Sequence, residues 1–479
     1  MEKYMGNKAK FCNNIYQEIE KIINIKPNMT LFDAFCGTTN VGRFFKKKKF
    51  NIISNDINDL SFVLGKAYID CCQMPVFEKL YSNEKFSIIL NNIKQHSNFK
   101  NNIQKLIKEN QNTTAKDFLN KNENSKLFEV LTYLTYYCDF SDYDDVKYNF
   151  FADNYCAGGK NSRYINLVYL KTLKNIQKKY AKTKIEETLE SFFEYPFDEK
   201  YIQKAKKYLE ELNDGVSVQK IKKMLDKKNL TGERLFFSLE HAKRLDNIFN
   251  TICYWKNNNL LNESEYYILL TSLIETVCIF SNTSATYQAF YKELRANTLQ
   301  DFRLIIPAID TTKIDSKIYK KDAFDLIAEI EADIIYLDPP YNWRQYDSNY
   351  HLLNSIAKFN DIKDKELFQS QIIGASGENR VQKLQYTSFN VRNTFKELLL
   401  KQLEKTKCKY IVLSYSDSSS NHEREQINDT IFEIENFFSN KSLFEFYKVV
   451  KIKSQNFESR KGNKKENINE LLFIAKKSN

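Results

Sequence analysis

Zinc-ligand spacing is missing from this 479-residue chain. Its nine cysteines are scattered, only Cys71 and Cys72 are adjacent, and no pair follows a CxxC pattern. The four histidines, His96, His241, His351 and His422, lie far apart. Neither a Cys/His metal centre nor a Cys- or His-based nucleophile is indicated, and no metal is expected. No apolar run approaches the ~18 residues of a membrane span, and Met1 is followed by charged residues rather than a secretory leader. A reduced, cytoplasmic protein with no membrane contact is therefore expected. No GK[ST] tripeptide closes a P-loop. Proline is rare, at six residues, and tryptophan rarer, at two.

What is present bounds the class. The hydrophobic fraction of 42% and aromatic fraction of 14% suffice for a real core. The length calls for two domains, or one domain with a large insertion. Lys and Arg number 72 against 61 Asp and Glu, a net charge of +11 and a pI near 8.9. Two readings of that excess stay open: an AT-rich genome, which inflates Lys, Asn, Ile and Phe, or a surface for nucleic acid.

Two regions carry an α/β pattern. "MTLFDAFCGTTNVGRFF" runs from a short apolar strand through a small-residue turn into a helix, and "FNIISNDIN" is a second strand ending at Asn55-Asp56. Strand, turn, helix and strand in about thirty residues make a βαβ unit. From about 76 to 299 the texture turns helical, in "YLKTLKNIQKKYAKTKIEETLESFF", "FDEKYIQKAKKYLEELND" and "SEYYILLTSLIETVCIFSNT". "CAGGKNSR", Cys156 to Arg163, is the expected exposed basic loop there, either a phosphate contact or a plain solvated turn. The α/β pattern then returns with a strand before Asp322, "ADIIYLD" ending at Asp338, "KYIVLSYSD", and the terminal strands "FYKVVKIK" and "NELLFIAKK". A parallel sheet is thus begun, interrupted and completed. Asp33, Asp56, Asp322 and Asp338 fall at its strand C-termini, the edge where open α/β sheets bind ligands.

The turn "DAFCGTTNVG" lets the backbone approach a ligand at Gly37. A carboxylate at the next strand end, Asp56, can accept both hydroxyls of a ribose. Together they point to a nucleoside cofactor, and the missing phosphate-binding glycines argue against a dinucleotide. Two of the six prolines then fall side by side in "YLDPPYNWRQY". Pro339 and Pro340 have no N–H and a fixed φ, so they end the strand in a stiff extended turn. Their carbonyls and the Asp338 carboxylate are acceptors beside the flat face of Tyr341. That set suits a planar base with an exocyclic amino group, a flipped adenine or cytosine.

Asp338-Pro339-Pro340-Tyr341 resembles the DPPY motif of amino-group DNA methyltransferases. "FDAFCGTTNVG" resembles their S-adenosylmethionine motif, "NDIN" their ribose-binding strand end, and "KYMGNK" their N-terminal lysine motif. The order of motifs is that of the D12 (Dam-like, α-group) N6-adenine class, and "SNTSATYQAFYKEL" with the extended "DPPYNWRQYDSNYHLLNSIA" is similar to its FokI-methylase branch. The resemblance spans roughly two-thirds of the chain, leaving out residues 71 to 230 and the end of the tail. It implies a Rossmann-like methyltransferase sheet with a large, mainly helical insertion: cofactor motifs in residues 1–75, a target-recognition region in 76–299, and DPPY with the C-terminal strands in 300–479. S-adenosyl-L-methionine is the implied cofactor and double-stranded DNA the implied partner. A companion restriction endonuclease is left open.

Carried over position by position, the resemblance implies that Tyr4 and Lys8 flank the methionine end of the cofactor. Asp33 would hold its amino group, Phe35 and Gly37 would shape the pocket, and Asp56 would bind the ribose, with Ile57 against the adenine ring. Asp322 would accept from the cofactor's adenine amine, beside Ala323. Asp338 and the Pro339 carbonyl would hold the target amino group, with Pro340 stiffening the turn and Tyr341 stacking on the base. Asn342, Trp343, Arg344, Gln345 and Tyr346 would meet DNA, Arg344 by a guanine or a phosphate contact. One position departs from the family pattern: Thr39 stands where the second glycine of the cofactor motif is usual. The implied reaction is direct methyl transfer to the exocyclic nitrogen of adenine, within or derived from a restriction-modification system. Rival readings are an N4-cytosine methyltransferase, which more often carries Ser-Pro-Pro-Tyr, the same fold acting on RNA, and a catalytically impaired DNA-binding protein.

Overall fold

Seven short stretches of alternating apolar residues pair into one sheet in the computed structural model, which describes residues 8–110, 126–165, 231–284, 286–339, 346–379, 392–416, 424–454 and 468–478. They are β1 (Thr30–Asp33), β2 (Asn51–Asn55), β3 (Ser316–Tyr319), β4 (Ile334–Leu337), β5 (Tyr410–Ser416), β6 (Phe444–Ser454) and β7 (Ile468–Lys477). Their order is β6-β7-β5-β4-β1-β2-β3. Only β7 runs against its neighbours. The fold is therefore mixed α/β with a mainly parallel central sheet, and every strand expected from the sequence is present.

A parallel sheet is covered on both faces, so successive side chains enter two different cores. Phe32, Ile335, Leu337, Ile411, Leu413, Leu471 and Phe473 enter one. Leu31, Ile52, Ile334, Tyr336, Val412, Leu472 and Ile474 enter the other, which also receives Cys12, Ile15 and Ile19 of helix α1 (Cys12–Glu20) and Phe45 of helix α2 (Asn40–Lys47). Burying one such side chain stabilises by about 1.5–3 kcal/mol, which secures even four-residue strands such as β1 and β4.

Between β2 and β3 the described residues are mainly helical. Glu84–His96, Phe99–Asn110, Lys126–Tyr136, Leu239–Asn257 and Glu263–Phe280 surround a separate aromatic core containing Phe86, Tyr133 and Trp255. The expected helix in "SEYYILLTSLIETVCIFSNT" forms, started by a capping box of Asn262 and Glu265. The two expected helices at 169–193 and 197–214 lie outside the described residues. A small antiparallel ladder, Arg163–Ile165 with Thr231–Glu233, was not foreseen. All nine cysteines are free thiols. Among the described residues no helix is long and apolar enough to cross a membrane.

The Cys156–Arg163 segment is exposed only in part. Lys160 and Arg163 reach solvent, but Cys156 and Ser162 are buried. The cause is Arg234, itself buried, which donates to the carbonyls of Asn154, Asn161, Ile372 and Gly374. A Cβ on Gly159 would stand 2.1 Å from the Ala152 carbonyl oxygen, so this turn accepts only glycine.

Candidate active site

The chain builds β1, β2 and β3 outward in one direction, then returns to lay β4 on the other flank of β1. Strand order reverses there, and a crevice opens beyond the strand C-termini. The register sets Asp33 beside Tyr336, which brings Asp338 to the same edge.

Asp33 is 1% exposed, and neither of its carboxylate oxygens has a hydrogen-bond partner of good geometry. Burial holds its carboxyl well above the usual range, and the charges of Asp338 and Asp56 push the same way, against weaker help from the Gly42 and Phe35 amides. A buried carboxylate helped only weakly by two amides is costly. It is also a vacant acceptor for a cationic group.

The turn after β1 uses left-handed backbone twice, at Gly37 (φ 48°) and at Thr39 (φ 62°). Glycine suits that conformation, and a β-branched residue in it is an outlier. The Thr39 side chain is fully buried and its hydroxyl has no hydrogen-bond partner among the described residues. Asp56 holds this turn from the next strand. Its Oδ2 accepts from the Gly37 N–H at 2.9 Å, and its Oδ1 accepts from the N–H and side-chain amide of Asn58 at 3.0 and 2.8 Å. Burial raises the Asp56 carboxyl even so. Asn55, not picked out as a site residue from the sequence, clamps three strand ends: its amide donates to the Ala34 and Lys321 carbonyls, and its oxygen accepts from the Lys321 N–H.

On the other side of Asp33 is Asp338. Lys8 Nζ lies 3.3 Å from Asp338 Oδ1 and 2.5 Å from Glu470 Oε1. Glu470 is buried on β7 and also accepts from the Ser414 hydroxyl of β5. Burial raises the Asp338 carboxyl to about 7, with Lys8 opposing and Glu470 adding to the rise. Glu470 and Ser414 were not found by sequence reasoning. A signal existed: in "INELLFIA", Glu470 shares the inward face of Leu472 and Ile474, where an acidic residue is out of place.

The remaining candidates are placed as follows. Asp322 caps the short helix Ala323–Ile327 by accepting from the Phe324 N–H at 2.9 Å, and burial raises its carboxyl. Ala323 is buried, while Phe35 and Ile57 are half-buried near the crevice. Pro339 follows Asp338 directly. Tyr4, Pro340, Tyr341, Asn342, Trp343, Arg344 and Gln345 lie outside the described residues. Tyr346 is described only as the first residue of the helix Tyr346–Asn349.

The profile of the D12 class N6 adenine-specific DNA methyltransferases matches residues 4–193 and 169–439, and the chain belongs to that family. Among individual proteins it is 34% identical over 248 residues to the type II methyltransferase M.FokI of Planomicrobium okeanokoites, covering 51% of this chain and 35% of that protein. It is 48% identical over 128 residues to modification methylase StsI of Streptococcus sanguinis, covering 27% of this chain and 20% of that protein. The type II methyltransferase M.NlaIII of Neisseria lactamica is 36% identical over 185 residues, covering 39% and 52% respectively. The chain thus spans about half or less of the length of these curated relatives. No solved structure matches.

Proposed function

We propose that this chain methylates N6 of an adenine flipped out of double-stranded DNA, using S-adenosyl-L-methionine, within or derived from a restriction-modification system. The observation that carries this reading is that Asp33 and Asp338 stand at the C-terminal ends of the adjacent strands β1 and β4, in a chain that the family's profile matches. On this reading the sheet is Rossmann-like, residues 1–75 and 300–479 form the catalytic domain, and the helical residues from 76 to 299 form an insertion that meets the target.

The residues fit the cofactor. The buried Asp33 carboxylate suits its ammonium group, Gly37 leaves room for close approach, and Asp56 lies at the strand end that would meet a ribose. When bound, S-adenosylmethionine supplies an activated methyl group. The protein's part is to orient the adenine amine, whose lone pair is delocalised into the ring. Asp338 and the Pro339 carbonyl would accept its two hydrogens, freeing the lone pair and stabilising the charge that develops on nitrogen. Tyr341 would stack on the base.

Mass spectrometry of nucleosides from DNA incubated with the protein and S-adenosylmethionine tests the reading. N6-methyldeoxyadenosine is expected. N4-methylcytosine would replace the substrate assignment, and cofactor binding without any methylated base would leave a DNA-binding protein of the same fold.

Two expectations concern the cofactor. Asp33 must be ionised to accept an ammonium, and its carboxyl is raised. Affinity for S-adenosylmethionine is therefore low at pH below that raised value and increases as pH rises through it, with protons released on binding. Calorimetry across a pH series, in buffers of different ionisation enthalpy, reads both effects. A flat affinity would remove Asp33 from the site. The second concerns Thr39. Left-handed backbone costs an L residue about 1–2 kcal/mol, so Thr39→Gly is expected to hold or improve the Kd for S-adenosylmethionine. A weakened Kd would show that the buried hydroxyl is a ligand contact.

A further inference from the structure

Asp338, Lys8 and Glu470 form a chain in which one cation lies between two carboxylates. The two distances, 3.3 Å to Asp338 and 2.5 Å to Glu470, are unequal, and Glu470 is the closer carboxylate. The Ser414 hydroxyl also donates to the Glu470 oxygen that Lys8 contacts, which fixes that carboxylate in place. Lys8 and Glu470 are both buried, so water does not screen the arrangement.

Resting on the methyl-transfer reading above, we propose that Glu470 is a positioning residue: it holds Lys8 away from full pairing with Asp338, leaving the Asp338 carboxylate an acceptor for the target amine. The chemistry demands such a device. A new N–C bond forms from the nitrogen lone pair, the C–S bond breaks with its electron pair going to sulfur, and one N–H proton must leave the methylated nitrogen. A carboxylate tightly paired with a lysine is a poor acceptor for that proton. A buried carboxylate with no cation at all would stay protonated and could not accept it. Sharing Lys8 with Glu470 places Asp338 between these limits.

Among the described residues, the charged and titratable groups facing Asp338 are Lys8 ahead of α1, Asp33 at the end of β1, Tyr336 on β4 itself and Glu470 on β7. Asp33 and Glu470 disfavour the Asp338 anion, and Lys8 favours it. Glu470→Gln removes one opposing charge and releases Lys8 to Asp338. The Asp338 titration midpoint is then expected to fall by at least about half a pH unit. Lys8→Met removes a favourable charge and is expected to raise it.

NMR of the full chain, labelled at aspartate side-chain carboxyl carbons and assigned with Asp338→Asn, reads the midpoint without cofactor or DNA. The acid limb of the single-turnover methyl-transfer rate is expected to move in the same direction as each midpoint. An unmoved midpoint in Glu470→Gln, or a rate lowered equally at every pH, would reduce Glu470 to a structural role and overturn the proposal. If Glu470→Gln does not fold, Lys8→Met decides alone, since an unmoved midpoint there means Lys8 is not felt at Asp338. Wild-type protein that transfers no methyl group would defeat the functional reading, while the NMR titration would still decide this one.

Discussion

Asp338→Ala is expected to slow methyl transfer by about 10²–10³, while S-adenosylmethionine still binds. Losing one preorganised acceptor of transition-state charge costs about 2.7–4 kcal/mol in barrier. The substitution is clean for a structural reason. Removing a buried carboxylate normally strands its partner cation, but Lys8 keeps its shorter contact to Glu470. The fold should therefore survive, and loss of rate would report chemistry. Single-turnover kinetics with saturating cofactor, alongside calorimetric Kd values, make the check. A variant within threefold of the wild-type rate would take Asp338 out of the catalytic centre.

Asp56→Ala has the opposite signature: a large loss of cofactor affinity with little change in DNA binding. The carboxylate serves two purposes here. It accepts from the Gly37 N–H and so holds the glycine turn, and on the proposed reading it also receives the ribose hydroxyls. Hydrogen bonds to a charged group contribute about 1.5–3 kcal/mol each, so the Kd for S-adenosylmethionine should rise at least about tenfold. Asp56→Asn separates the two purposes. Its remaining carbonyl can still accept from one side, so an intermediate Kd is expected, and an unchanged Kd in both variants would place the nucleoside site elsewhere.

The strand ends were legible in the sequence for identifiable reasons. "ADIIYLD" is a strand because its apolar run has no helical period, and it stops where Pro339 and Pro340 remove two backbone donors. Asp33 was recognisable because it closes an apolar run directly, whereas Asp56 and Asp322 follow the polar residues that come after β2 and β3, each just beyond its strand. The dual use of Asp56 was not legible. Nothing in "NDIN" says that its carboxylate reaches back to Gly37, because that contact depends on the pairing register of β1 and β2. The Arg234 hub was equally hidden, since its partners are backbone carbonyls and carry no side-chain signature.

Local chemistry therefore determined, from the sequence alone, which segments become strands of the central sheet, where they end, and which carboxylates and prolines stand near those ends. Hydrophobic periodicity and proline stereochemistry act over a few residues and need no knowledge of the rest of the chain. Only the tertiary structure decided which of those ends face one another. Lys8 and Glu470 are 462 positions apart, and they meet around Asp338 because β7 inserts antiparallel beside β5 while the segment before α1 returns to the same edge. The contact is a product of strand order. Many orders bury the same apolar faces, so periodicity cannot select among them.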